Sequence, residues 1–264
     1  MAEEGNTLIV ADYGQLELRV LAHLADCKSM IKAFEEGGCF HSRTAVGMFP
    51  ELKKAVDSGE VLLEWKGNEK PPVPLLKDMY AAHRRKAKVL NFSIAYGKTA
   101  HGLALDWGVS VGEAKKLLKA WYSDRPEVLK WQEYMRNLAV EEGRVPTIMG
   151  RYRMLPEATS KSRKLKQHSL RSAINSPVQG SAADIVMMAM IKMEKSEILK
   201  QLKWEQILQI HDEVILEGPK ESMEEAMREV KTCMEQPWDH YGLFPMKVDL
   251  AVDAKSEDSW YKAK

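Results

Sequence analysis

This chain of 264 residues has few cysteines, almost no net charge and no long apolar run. The three cysteines, Cys27, Cys39 and Cys233, are odd in number and widely spaced, which excludes a disulfide framework and a zinc site. They are typical of a reducing compartment. No apolar run approaches the roughly 20 residues of a membrane span, and no signal peptide is visible, so we expect no membrane partner. A strand-like run follows the first residue so closely that the chain is expected to be a fragment of a longer one.

The net charge of +1 says nothing about partners, but the distribution of charge does. The sequence is 45% hydrophobic and 29% charged, as in an ordinary globular protein. From residue 144 to 171 there are eight Lys or Arg and one acid, and from 83 to 98 there are five Lys or Arg and no acid. Such stretches suit phosphate contacts. A solvated basic face remains the more ordinary explanation of either stretch taken alone.

The stretch from residue 8 to 24 predicts a strand, a carboxylate, a turn and a helix. Leu8-Ile9-Val10-Ala11 is short, apolar and partly β-branched, and Asp12 follows where the strand should end. A carboxylate on a strand end suits metal coordination, and it also suits a helix cap. This stretch alone favours neither interpretation.

A second acidic site lies between two strand-like runs, 206–210 and 214–217. The short gap, His211-Asp212-Glu213, predicts a β-hairpin. Two acids at a tight turn crowd negative charge unless a cation is bound there. If the strands share a sheet, Asp12 and Asp212 could hold a pair of divalent metals of the kind that serves phosphoryl transfer. Spacing alone does not prove that they are neighbours.

Two polar stripes are predicted on helices. Arg84, Lys88, Phe92 and Tyr96 recur every four residues, so they share one slowly drifting face. Cations followed by aromatics suit a ligand with phosphates at one end and a flat base or sugar at the other. Further along, Arg171, Asn175 and Gln179 share a face that a core would not leave unpaired.

These patterns predict an α+β fold, with an antiparallel or mixed sheet built from both chain ends and a helical part inserted between them. A final strand is expected where Met246, Val248, Leu250 and Val252 alternate with polar residues. Residues 50–78, rich in proline, are expected to be an inserted excursion or long loop.

Three motifs, in order, resemble the family A DNA polymerases, the DNA polymerase I type. Asp12 to Arg19 is similar to motif A, Arg84 to Gly97 to motif B on the fingers helix, and His211-Asp212-Glu213 to motif C. Residues 171–184 resemble the palm helix between motifs B and C. The resemblance covers nearly the whole chain. It implies a palm at 1–30 and 169–264 and fingers at 31–168.

The resemblance also implies roles for the matching residues. Catalytic roles fall on Asp12, Asp212 and Glu213. Metal binding falls on Asp12, Asp212 and the backbone carbonyl of Tyr13. The residues implied to bind the deoxynucleoside triphosphate are Gln15, Glu17, His41, Arg84, Lys88, Phe92 and Tyr96, with Glu17 excluding a ribose 2′-hydroxyl. The residues implied to contact template-primer DNA are Arg151, Arg153, Arg171, Asn175, Gln179 and His211. Two Mg²⁺ ions are implied, with Mn²⁺ as a substitute, for attack of a primer 3′-hydroxyl on the α-phosphorus.

This chain departs from the family pattern in two ways. A thumb and further palm segments, often with an exonuclease domain, precede motif A in the family and are missing here. The insert at 50–78, together with Gly14 in motif A, looks more like plant organellar polymerases than bacterial ones. That likeness implies a plastid or mitochondrion; without it, the cytoplasm or nucleoid is expected.

Two other functions stay open at this point. A two-metal nuclease or phosphatase would explain Asp12 and Asp212, but not the face that carries Arg84 and Phe92. A nucleic-acid-binding fragment, inactive without its thumb, would explain the basic stretches.

Overall fold

The computed structural model describes residues 1–37, 39–65, 69–239 and 245–263, which fold into two compact units. Unit 1 comprises Met1–Val20, Pro146–Arg153 and Ser176–Lys264. Unit 2 comprises Leu21–Val145 and Met154–Asn175. None of the helices in these described ranges has the length and apolar character needed to cross a bilayer.

Strands and helices together account for most of the described chain. The strands are β1 (Asn6–Tyr13), β2 (Arg144–Pro146), β3 (Tyr152–Met154), β4 (Glu205–Ile210), β5 (Glu213–Pro219) and β6 (Val252–Glu257). The first helices are α1 (Leu16–Leu24), α2 (Lys28–Glu35), α3 (Phe40–Met48), α4 (Pro50–Asp57), α5 (Leu76–Met79), α6 (Ala81–Ala95) and α7 (Ala100–Trp107). The remaining helices are α8 (Val111–Ser123), α9 (Pro126–Glu142), α10 (Arg163–Lys195), α11 (Glu197–Gln201), α12 (Met223–Glu235) and α13 (Trp260–Ala263).

A four-stranded sheet in unit 1 has the order β4-β5-β1-β6, and every neighbouring pair is antiparallel. It confirms the predicted α+β fold with a sheet built from both chain ends. Strand β1 lies inside the sheet, and residues 8–11 are all buried. An apolar run without alternation is what a strand covered on both faces requires. The strand continues two residues further than predicted, so Asp12 pairs within the sheet.

The last strand differs from its prediction. We expected it over residues 246–252, whereas β6 begins at Val252 and ends at Glu257. The alternating residues of the prediction are buried as expected: Met246, Val248, Leu250 and Val252. The first three precede the strand because β1 ends at Tyr13, opposite Val252, so no strand residue of β1 is left to pair with them. Beyond that point Gly14 and Arg19 donate hydrogen bonds to the carbonyls of Ala251 and Asp249.

Unit 2 is helical, and its local signals are those seen in the sequence. Ser110 and Glu113 form a reciprocal capping box at the start of α8, and Pro126 is the first residue of α9. Helices α6 and α7 are separated by a turn, because Gly97 adopts a φ of +65° after α6. A Cβ there would also lie 2.7 Å from Ile174, so the turn needs glycine for two reasons.

Of the two expectations for the proline-rich stretch at 50–78, an inserted excursion or a long loop, the structure shows a packed substructure, apart from residues 66–68, which lie outside the described part. It contains α4, α5 and a parallel bridge between Leu62 and Leu75. A small core joins it to the neighbouring helices α3 and α6, and its buried members are Ala45, Leu52, Ala55, Val61, Leu76 and Ala87. Burial of these side chains explains why a stretch with four prolines folds.

Helix α10 has 33 residues and contains Pro177 in its interior. Strands β2 and β3 pair as a short hairpin, and Gly150 in its loop has a φ of +76°. Its loop is fixed to α10 within unit 1. Asp184, 5% exposed, accepts hydrogen bonds from the Arg151 guanidinium at 2.6 Å and from the Met149 amide at 3.3 Å.

Candidate active site

Unit 1 carries a row of three carboxylates across neighbouring strands. Asp12 on β1 lies directly opposite Glu213 on β5 and opposite Asp253 on β6. Directly opposed residues project from the same face of a sheet, so the three side chains form one row. The strand pairing that the sequence left open is therefore present.

Asp212 joins this row from the hairpin between β4 and β5. The loop has only two residues, His211 and Asp212, and His211 adopts a left-handed φ of +57°. The carbonyl of Asp212 accepts a hydrogen bond from the Tyr13 amide at 3.3 Å, which brings the loop to the end of β1. A non-glycine residue in this region is strained and is common at functional sites. Gln15, after Asp12, has a similar φ of +60°.

The neighbouring carboxylates add to the proton affinity of Asp12. Partial burial is the main cause that raises the pKa of Asp12 to about 6, and neighbouring negative charges add to it. Those charges are, in decreasing order of effect, Asp212, Glu213 and Asp253. None of the ion pairs in the described part of the chain involves these four residues. The site therefore has an excess of negative charge that a cation would relieve.

Hard carboxylate oxygens on adjacent strands are the donors that Mg²⁺ prefers, so the residues present fit divalent metal ions. Within the described residues, no three His, Cys, Asp or Glu side chains already converge on one point. The set of donors fits the ions, and the side chains would have to adjust around them.

Arg19 holds the backbone at the end of β1. It is 9% exposed, and its guanidinium donates hydrogen bonds to the carbonyls of Gly14 at 2.7 Å and Asp249 at 2.5 Å. Burial lowers the pKa of Arg19, while Asp249 and Asp253 oppose that shift. Glu17, two residues before Arg19, is half-buried in the first turn of α1.

Unit 2 presents the predicted cation and aromatic face on α6. The ammonium of Lys88 lies 6.0 Å from the centroid of Phe92, whose ring stacks on Tyr96 at 5.9 Å. These three residues line a cavity of about 630 Å³ together with Arg85, Val89, Ser93, Lys98, Thr99, Gly102, Asp106 and Arg171. Four of the lining residues are cationic and one is acidic, and the acid is paired with Lys98. The cavity suits an anionic ligand that also has a flat part.

Arg84 lies on the same helix outside that cavity lining. Its guanidinium donates to the sulfur of Cys39 at 3.2 Å, and its Nε is buried with no hydrogen-bond partner. A buried nitrogen left without a partner is uncommon and is often completed by a ligand. The Arg84 contact and a hydrogen bond from the Ser42 backbone outweigh burial and lower the pKa of Cys39.

His41 is buried in a polar network, although the sequence suggested only a ligand contact. The amide of Asn91, itself 0% exposed, lies 3.1 Å from His41 Nδ1, and its carbonyl accepts from Trp121 at 2.9 Å. Burial, followed by the charges of Arg84 and Lys88, lowers the pKa of His41 to about 4. The ring is neutral at pH 7, and if Nδ1 accepts from Asn91, Nε2 is the donor.

The residues expected to contact DNA differ in their availability. Arg171, Gln179 and His211 are exposed and Asn175 is half-buried, with its Oδ1 buried and unpaired. Arg153 is exposed on β3, whereas Arg151 is engaged by Asp184 and the Gly180 carbonyl. Arg151 therefore fixes the hairpin loop as well as contributing charge.

Sequence reasoning missed three residues that the structure places at these sites. Asp253 extends the carboxylate row, Trp260 donates a hydrogen bond to Glu213, and Asn91 holds His41. The alternation of Asp249, Ala251 and Asp253 with apolar residues was visible, but nothing in it showed which strand would pair with β1. Asn91 lies within the motif B segment, and its spacing from His41 gave no signal.

Comparison with known proteins gives the family. The sequence profile described as DNA polymerase family A matches residues 1–60 and 70–262. The chain belongs to DNA polymerase family A. It is 58% identical to DNA polymerase I A, chloroplastic, of Oryza sativa subsp. japonica and 57% identical to DNA polymerase I B, chloroplastic/mitochondrial, of Arabidopsis thaliana. Identity to DNA polymerase I, thermostable, of Thermus aquaticus is 34%.

These matches cover all of this chain and 26%, 25% and 28% of the three relatives, so the chain spans about a quarter of their length. Among solved structures, the POL domain of Pol1 from M. smegmatis, in complex with DNA primer-template and dNTP, aligns with a TM-score of 0.83. That alignment is 30% identical and covers 99% of this chain and 41% of the other. The predicted family and its plant organellar resemblance are confirmed.

Proposed function

We propose that this chain carries the nucleotide-adding region of a template-directed DNA polymerase. It would join a deoxynucleoside triphosphate to a primer 3′-hydroxyl and release pyrophosphate. The observation that carries the proposal is the row of Asp12, Glu213 and Asp253, which lies on three neighbouring strands of a family A chain and concentrates negative charge around Asp12. Excess negative charge on one sheet face supports the binding of divalent metals.

Asp12, Asp212 and the Tyr13 carbonyl would hold two Mg²⁺ ions, or Mn²⁺ in their place, and Glu213 would support that site. When bound, the ions would lower the pKa of the primer hydroxyl and stabilise charge on the departing pyrophosphate. This chain's own contribution is to hold the carboxylates rigidly. Strand pairing fixes Asp12 and Glu213, while the two-residue loop fixes Asp212. His211, exposed beside Asp212, would contact the primer end.

The cationic face of unit 2 would bind the incoming nucleotide. Lys88 and the unsatisfied Arg84 Nε suit the triphosphate, and a neutral His41 could donate one hydrogen bond to it. Phe92 and Tyr96 offer ring surface to the sugar and base. On unit 1, Gln15 and Glu17 would shape the sugar site, with Glu17 excluding a 2′-hydroxyl.

Template-primer DNA would lie against the exposed residues Arg153, Arg171, Gln179 and His211 and the half-buried Asn175, with Arg151 supporting the hairpin. Asn and Gln side chains can recognise the acceptors that all base pairs present in the minor groove. We retain the palm at 1–30 and 169–264 and the fingers at 31–168 as proposed subdomains. The names of the plant relatives favour a plastid or mitochondrion as the compartment.

Primer extension by the 264-residue chain tests the proposal. An annealed template-primer is incubated with one dNTP at a time and Mg²⁺, and product lengths are read on a gel. Addition of only the nucleotide that the template specifies is the expected result. Shortening of the primer without dNTP would replace the proposal with a two-metal nuclease. DNA binding without either reaction would replace it with a binding fragment.

DNA affinity measured over a salt series sharpens the same test. If the basic stretch contacts phosphates, the affinity falls steeply as salt rises. Replacing Lys161, Arg163, Lys164 and Lys166 by Ala should flatten that dependence. A slope that stays unchanged would assign the stretch to a solvated face.

A further inference from the structure

Trp260 makes a contact with the carboxylate row that the mechanism above does not use. Its indole N–H donates a hydrogen bond to Oε1 of Glu213 at 2.7 Å. A hydrogen bond to an ionised carboxylate is short and stronger than a neutral one. An indole has a single donor and no acceptor, so the bond also fixes which atom of Glu213 it holds.

The position of Trp260 is set by the sheet that carries the carboxylates. Trp260 begins α13 and packs against a small core on unit 1, formed by Leu8, Val10, Ile215 and Ala263. Leu8, Val10 and Asp12 are spaced two residues apart along β1, so they share one face. Ile215 is likewise two residues from Glu213 on β5. The ring therefore lies on the same face as the carboxylates and is held by their own strands.

Glu213 needs such a restraint more than its neighbours do. Its side chain has one more rotatable bond than Asp12, and it lies directly opposite that like charge. Repulsion alone would turn the carboxylate away into several rotamers, and ordering it again costs conformational entropy. With Oε1 held by the indole, Oε2 is the oxygen left to face the metal site.

We propose that Trp260 is a positioning residue: its indole N–H holds the Glu213 carboxylate in the orientation that supports metal binding at Asp12 and Asp212. The proposal rests on the proposed function of these carboxylates. Residues that orient a metal's carboxylates from outside typically change metal affinity by 10- to 100-fold when replaced.

Mn²⁺ binding to the whole chain, measured from the electron paramagnetic resonance of the free ion, tests this without requiring activity. Trp260→Phe keeps an aromatic ring on the apolar cluster and removes the donor. We expect Mn²⁺ affinity to fall about 10-fold. Tyr261→Phe is the matched control, because Tyr261 is 91% exposed on the same helix, and it should leave the affinity unchanged.

A double-mutant cycle with Glu213→Ala separates positioning from a general structural effect. Trp260→Phe should weaken Mn²⁺ binding in the wild-type background and have no further effect when Glu213 is Ala. Equal losses in both backgrounds would overturn the positioning role, and so would an unchanged affinity in the wild-type background. Thermal melts of all four proteins show whether a loss comes from unfolding.

If wild type binds no Mn²⁺ and extends no primer, the proposed function fails first. If wild type does both and the cycle shows no coupling, only the role of Trp260 fails.

Discussion

The candidate site in unit 1 concentrates negative charge, whereas the candidate site in unit 2 concentrates positive charge. In unit 1, partial burial and then the charges of Asp212, Glu213 and Asp253 raise the pKa of Asp12 to about 6. In unit 2, Arg84 and Lys88 lie near His41 and, after burial, help to lower its pKa to about 4. Burial is the larger cause of both shifts, and like charge nearby adds to each, because it makes an acid harder to ionise and a base harder to protonate. The first site is prepared for cations and the second for an anion.

The source of rigidity also differs between the units. The carboxylates are fixed by backbone pairing, because Asp12, Glu213 and Asp253 are consecutive partners across three strands. The cationic face is fixed by buried side-chain hydrogen bonds, with Asn91 bridging α6 to His41 and Trp121. A substitution in unit 1 should therefore remove chemistry without disturbing the fold. One in the network of unit 2 should affect both.

The largest effect is expected from removing a carboxylate charge. Asp12→Asn or Asp212→Asn should lower the single-turnover rate of nucleotide addition by about a thousandfold or more. The metal loses a charged ligand, and the transition state then loses the charge stabilisation that the metal supplies. Asp12→Asn should also raise the melting temperature in metal-free buffer, since it relieves like-charge repulsion. Asp258→Asn, in an exposed ion pair with Lys220, is the control and should change neither. Undiminished extension by either variant would refute the metal assignment.

The next effect concerns the anion-binding side. Lys88→Ala should raise the KM for dNTP by about 10- to 100-fold, because a charged hydrogen bond to phosphate contributes about 1.5–3 kcal/mol. Lys86→Ala, exposed on the same helix but on a different face, should leave KM unchanged. Steady-state kinetics with one dNTP measures both. Equal effects of the two variants would mean that the face acts only through its total charge.

A smaller effect is expected at the ring that lies between Lys88 and Tyr96. Phe92→Tyr adds a hydroxyl that could replace the polar contact of a missing 3′-hydroxyl. The variant should therefore accept dideoxynucleotides roughly 10-fold better, the equivalent of one hydrogen bond. Normal incorporation should change little. Chain-termination assays and thermal melts decide the matter, since a destabilised variant with unchanged selectivity would make Phe92 a core residue.

The smallest effect is a pH dependence of stability that belongs to unit 2. The folded pKa of His41, about 4, lies below its ordinary value of 6.5, so the unfolded chain binds the proton first as pH falls. The stabilising contribution of the neutral ring is present above pH 6.5 and is lost progressively toward pH 4. Between pH 7 and 6 the free energy of unfolding should fall by about 0.5–1 kcal/mol more in wild type than in His41→Gln. Urea unfolding at both pH values measures the difference, and parallel curves would contradict it.

Much of the local structure could be predicted because its causes are local. The buried strand at 8–11, the hairpin at 211–213, the capping box at Ser110 and the start of α9 at Pro126 all depend on neighbours within a few residues. The same holds for the α6 face, since helical spacing alone aligns Lys88 with Phe92. The boundaries of β6 and the packing of the insert at 50–78 could not be predicted in this way. Each depends on a partner that is distant in sequence.

The sequence by itself determined the buried strand β1, the β4–β5 hairpin and the helix face that carries Lys88 and Phe92, because periodicity and turn preferences act over short distances. Only the tertiary structure decided that Asp12 lies between Glu213 and Asp253, that Trp260 reaches Glu213, and that Asn91 holds His41. These pairs are separated by up to 241 residues in the case of Asp12 and Asp253. Their proximity follows from strand register and packing, which no spacing along the chain encodes.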